Sequence, residues 1–70
     1  MRGIKVTYRK LWHILIDRQM KKKELKELAG LTAHQMLKLR KNQHVTTEIL
    51  AKICKALDCE ISDMLEFDWD

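Results

Sequence analysis

The chain has 70 residues, 46% of them hydrophobic and 34% charged, the size of one small domain with no room for a second. Its apolar residues are dispersed among charges, so no segment approaches the roughly 20 residues of a membrane span. Lys10, His13 and Asp17 likewise interrupt the early chain, where a secretory signal needs about 7 to 15 continuous apolar residues, and a cytoplasmic location is expected. The net charge of +4 conceals a division. Residues 1–41 hold 12 lysines and arginines against Asp17, Glu24 and Glu27, whereas residues 42–70 hold Lys52 and Lys55 against seven acidic residues. In one folded body, such a chain attracts a polyanion on one side and repels it on the other, and nucleic acid is the leading partner.

With no proline and only two glycines, the sequence carries helical spacing along most of its length. Ile4, Val6 and Tyr8 alternate with polar residues and suggest a short strand. Thr7 is a candidate cap for a first helix reaching about Arg18, with Leu11, Trp12, Leu15 and Ile16 toward a core. A second helix is expected from about Lys22 to Ala29, with Leu25 and Leu28 inward. It stops at Gly30, the residue best able to take the positive φ that ends a helix. Thr32 caps a third helix from Ala33 to about Lys41 that buries Met36 and Leu39. After a loop at Asn42 to Val45, Thr46 or Thr47 caps a fourth helix, whose apolar face is Leu50, Ile53, Cys54 and Leu57. Ser62 begins a last short turn of helix around Met64 and Leu65. Phe67 and Trp69 then alternate with acidic residues as a second short strand. Antiparallel pairing of the two ends, within a subunit or across a dimer, sets basic against acidic side chains.

Chemistry-bearing clusters are sparse. His13, His34 and His44 share no helical turn, and a zinc site with Cys54 and Cys59 needs ligands from distant segments, so no metal or other cofactor is expected. The two cysteines read as reduced thiols serving as small hydrophobes. Catalysis needs a concave site that a core of this size leaves little volume for, and no catalytic residue is assigned. Glu24 and Glu27 read as surface partners of nearby lysines, for example Lys23 with Glu27. Trp12 and Tyr8 serve either as core or as stacking platforms for single-stranded nucleic acid, with the apolar stripe favouring core. Lysines at Lys21 to Lys23 oppose the dipole of the helix they begin, a cost that a nearby anion relieves.

The segment KKKELKELAGLTAHQMLKLRKN has the arrangement of a helix-turn-helix: a helix with Leu25 inside, Gly30 at the turn, apolar Leu31, the cap Thr32, and Met36 and Leu39 packing the next helix back. It resembles the DNA-binding unit of the Cro and lambda-repressor-like family, also called the XRE family. The run EILAKICKALDCEISDML resembles the fourth and fifth helices of that family, and the likeness covers about residues 8–66. It implies an all-α, five-helix lambda-repressor-like domain over residues 1–70, with the helix-turn-helix at about 22–41, to which the alternation at the two ends adds short terminal strands. It further implies that the third helix enters the major groove of double-stranded DNA.

Carried over by position, Thr32, Ala33, His34, Leu37, Lys38 and Lys41 face DNA, while Lys22 and Lys23 suit backbone phosphates. His34 and Lys38, four apart, share one helical face, and Leu37 is an apolar residue able to meet a thymine methyl. Two positions depart from the family pattern: Lys26 stands where a small alanine is usual, and Lys22 where a glutamine is. Palindromic operators make a homodimer the expected form, with Phe67 and Trp69 as candidates for its interface. The function implied is a sequence-specific transcriptional regulator, a repressor by simple occlusion of a promoter; activation would draw on the acidic surface of Glu48, Glu60 or Asp63. The alternative is an antitoxin-like or adaptor module that binds a protein partner and contacts DNA only secondarily.

Overall fold

The computed structural model describes residues 3–69, with the backbone alone at Trp69. Strand β1 (Ile4–Thr7) leads into α1 (Arg9–Asp17), α2 (Lys22–Ala29), α3 (Ala33–Arg40) and α4 (Thr47–Leu57). A 3-10 turn at Ile61–Asp63 follows, then strand β2 (Glu66–Trp69). The expected fifth helix is therefore only this single turn, because the chain must straighten at once to reach β1. Strands β1 and β2 pair antiparallel within one chain, Ile4 opposite Trp69, Lys5 opposite Asp68, Val6 opposite Phe67 and Thr7 opposite Glu66. Of the two pairings the sequence allowed, this is the one within a subunit. Arg9 Nη2 donates to Glu66 Oε1 at 2.8 Å and fastens the ribbon to α1. That bond and the guanidinium charge hold the Glu66 carboxyl below the usual carboxylate range.

The core draws on β1, the four helices and the residues that join them: Val6 and Tyr8, Leu11 and Leu15, Leu25 and Ala29, Met36 and Leu39, then Ile49, Ile53, Leu57 and Met64 are all buried. Several inward assignments are corrected. Ile16 is 69% exposed and Leu28 58% exposed. Short helices dock along one row: Leu11 with Leu15 in α1, and Leu25 with Ala29 in α2, residues four apart that stack on one face. At about 100° per residue, Ile16 and Leu28 fall well to the side of those rows. In α4 the buried row is Ile49, Ile53 and Leu57, with Leu50 and Cys54 half-buried beside it. Trp12 is likewise half-buried against the core. The anticipated Lys23–Glu27 ion pair does not form; the carboxylate pairs among the described residues are Arg9 with Glu66 and Lys52 with Glu48.

Thr7 does not cap α1. It lies in β1, and the cap position falls to Tyr8, which offers no side-chain cap. Instead the Leu11 amide donates to the Met64 carbonyl at 3.1 Å, so the last turn of the fold supplies the acceptor. Thr32 and Thr46 cap as expected, their hydroxyl oxygens accepting from the Gln35 and Ile49 amides at 3.1 and 3.3 Å.

Candidate nucleic-acid interface

The sharp turn between α2 and α3 rests on Gly30, held at φ +70° and ψ 40°. There its amide donates to the Glu27 carbonyl and that of Leu31 to the Lys26 carbonyl, closing the end of α2. Buried Leu31 then anchors the turn in the core. The Thr32 hydroxyl and amide are both engaged with Gln35, whose Oε1 accepts from the Thr32 amide at 3.0 Å. Gln35 is thereby committed to the cap, while the Thr32 hydroxyl proton stays free to donate outward.

Met36 and Leu39 fix the inner side of α3, so its other residues point away from the core. Ala33, His34 and Lys41 are exposed, as is Thr32 at the cap, and Leu37 and Lys38 are half-buried. The exposed residues and the two half-buried ones form one continuous stripe. Lys22 and Lys23 are exposed at the start of α2. Lys21 has no acceptor with which to cap this helix, and Glu24 Oε1 accepts the Lys21 amide at 3.0 Å. Lys22 Nζ stands 4.7 Å from the centroid of the Trp12 ring, a cation–π contact that holds the ammonium in place.

Two clefts border the stripe. One, of about 220 Å³, lies between α2 and α3 and contains both departures from the family pattern, Lys22 and Lys26, together with Lys23 and Arg40. The other, of about 350 Å³, sets His44, Val45 and Thr46 beside His34 and Lys38. Neither Arg40 nor His44 stood out in the sequence. Arg40 is one position before the expected contact Lys41, and a helical wheel of α3 would have placed it at the α2 edge. His44 is in a loop with no periodicity to read.

The far end of α3 is positioned from α1. The Tyr8 hydroxyl donates to the Gln43 carbonyl at 2.7 Å, and the Tyr8 amide donates to Asn42 Oδ1 at 3.2 Å. Tyr8 is almost fully buried, which settles its role as core, and burial pushes its phenol above the ordinary value. No local pattern marks this residue as the clamp on the turn after α3, because the contact spans more than 30 positions.

This geometry is that of a known family. The model of the Cro/C1-type HTH DNA-binding domain matches residues 10–70. The chain belongs to the Cro/C1-type helix-turn-helix family. This Cro/C1-type domain is similar to the crystal structure of the transcriptional regulator VanUg in Form II, at 43% identity and a TM-score of 0.93, covering 97% of this chain and 91% of that one. A comparison with curated proteins gives no match. Among the described residues, no group of three or more His, Cys, Asp or Glu side chains is placed to hold a metal ion, and no helix is long and apolar enough to cross a membrane. The candidate interface residues Phe67 and Trp69 lie in β2; Phe67 is 52% exposed, and the side chain of Trp69 lies outside the described residues.

Proposed function

We propose that this Cro/C1-type protein is a sequence-specific regulator of transcription that lays α3 in the major groove of double-stranded DNA. The observation that carries the reading is the outward stripe of α3, Ala33, His34, Leu37, Lys38 and Lys41, on a helix whose opposite side is fixed in the core by Met36 and Leu39. His34 and Lys38 reach base edges, Leu37 meets a thymine methyl, and Thr32, Lys41, Lys22 and Lys23 hold phosphates. The single domain of residues 1–70 acts in the cytoplasm as a repressor, by occupying a promoter. It does so as a homodimer on a two-fold operator, with the ribbon as its interface. No residue carries a catalytic role.

Binding to a random-sequence duplex across a salt series tests this. Wild-type binding in the micromolar range or tighter is expected to weaken steeply with salt, and Lys22→Ala/Lys23→Ala should reduce the slope by about 1 to 2. On a selected operator, His34→Ala should cost about 1–3 kcal/mol and relax specificity. Absence of binding at low salt, or binding indifferent to both variants, overturns the groove assignment. The exposed Phe67 and Ile4 on the ribbon would then favour the second reading, an antitoxin-like or adaptor module with a protein partner.

A further inference from the structure

We propose that the cleft between α2 and α3 is a phosphate site for one strand of the DNA backbone, in which Lys26 and Arg40 act together with Lys22 and Lys23. The inference rests on the DNA-binding reading above and adds two residues and a defined place to it.

The cleft is lined by Lys22, Lys23 and Lys26 from α2 and by Ala33, Met36 and Arg40 from α3. Lys22 and Lys26 are four apart on one face of α2, and Ala33, Met36 and Arg40 share one face of α3, so regular helical spacing gathers four cations around one hollow. None of the four has a carboxylate within ion-pair distance among the described residues. The nearby acids are placed elsewhere: Glu24 accepts the Lys21 amide, and neither it nor Glu27 lines the cleft. Like charges so assembled repel one another, and an anion in the cleft relieves that repulsion.

Two of the four are held in position. The Lys22 ammonium packs over the Trp12 ring, and Lys26 is half-buried, the state in which a lysine covers its aliphatic stem and keeps its charge in solvent. Arg40 contributes a planar fork suited to paired phosphate oxygens, and the lysines contribute point charges. Ala33 belongs both to the cleft and to the stripe proposed to enter the groove, so the cleft opens along the border of that stripe, where the backbone of one strand runs. A strand of DNA carries one phosphate per about 3.4 Å of axis, and four cations along one opening match a run of neighbouring phosphates better than one small ion. Such contacts position the domain and are indifferent to base sequence.

The test measures duplex affinity against salt for wild type, Lys26→Gln, Arg40→Gln, the double variant, and Lys52→Gln/Lys55→Gln on α4 as a control for net charge. Each cleft substitution should lower the salt slope by about 0.9, and the double variant by about 1.8, equally on any sequence. Lys26→Arg should keep the wild-type slope. Steep wild-type binding that Lys26→Gln and Arg40→Gln leave unchanged, or that the α4 control weakens equally, overturns the cleft and leaves the groove reading standing. No wild-type binding overturns both. A parallel titration with inorganic phosphate, followed by amide shifts around the cleft, separates the remaining source: saturation there by free phosphate, lost in Lys26→Gln while the duplex slope is unchanged, assigns the cleft to a small anion and overturns the proposal.

Discussion

Tyr8 joins three parts of the molecule through one residue. Its ring lies in the core, its hydroxyl holds the Gln43 carbonyl, and its amide holds Asn42, so the start of α1 fixes the exit of α3. Removing the hydroxyl in Tyr8→Phe leaves the Gln43 carbonyl without that partner and should cost about 1–2 kcal/mol in chemical denaturation. Burial disfavours the phenolate, so the folded-state value lies above the ordinary one. The stability linked to this group is complete below the ordinary value of about 10 and is lost as pH rises through the folded value. Tyr8 is the only tyrosine, so its ultraviolet titration should coincide with an alkaline fall in stability that Tyr8→Phe lacks. The same burial, followed by the neighbouring Cys54, pushes the Cys59 thiol up. Cys54 Sγ lies 3.6 Å from Met64 Sδ, packing consistent with the small-hydrophobe role that the sequence suggested.

The helices begin differently and end alike. All four stop with a residue in the left-handed region or one position before it: Gln19, Gly30, Asn42 and Asp58 have φ of 55°, 70°, 55° and 51°. Only the glycine could be read in advance, because the other three residue types occupy many conformations and were placed there by the turn that follows. At Gly30 an added Cβ would meet nothing within 4 Å, so the cost of Gly30→Ala is purely one of backbone conformation. It should lower stability by about 1 kcal/mol, measured by thermal unfolding. At helix starts, Thr32 and Thr46 were legible because a short hydroxyl side chain before an apolar row has one efficient use. Thr7 looked equivalent and was claimed by a strand pairing with Glu66, a partner at the other end of the chain. The same limit applied to helix faces. Periodicity showed that α1 and α2 were amphipathic, yet which row docks depended on the neighbours, so Ile16 and Leu28 were assigned inward and lie outside.

On the scale of the whole molecule, the division between a basic first part and an acidic last part becomes a ribbon whose strands carry opposite charge, Lys5 facing Asp68, with Arg9 bonded to Glu66. Ile4 and Phe67 remain about half exposed on that ribbon. With the ribbon as dimer interface, sedimentation should show a dimer that Phe67→Asp converts to a monomer with weaker duplex binding; a wild-type monomer at every concentration would favour a separate protein partner. The sequence by itself determined the helix-turn-helix, its glycine turn, its threonine caps, the stripe of α3 and the excess of cations near it, because these depend on spacing within about 20 residues. Only the tertiary structure decided that Met64 completes α1, that Tyr8 clamps the end of α3, and that Lys26 and Arg40 meet in one cleft. Those outcomes depend on segments distant in sequence being packed together, and periodicity along a single chain carries no information about which distant faces will touch.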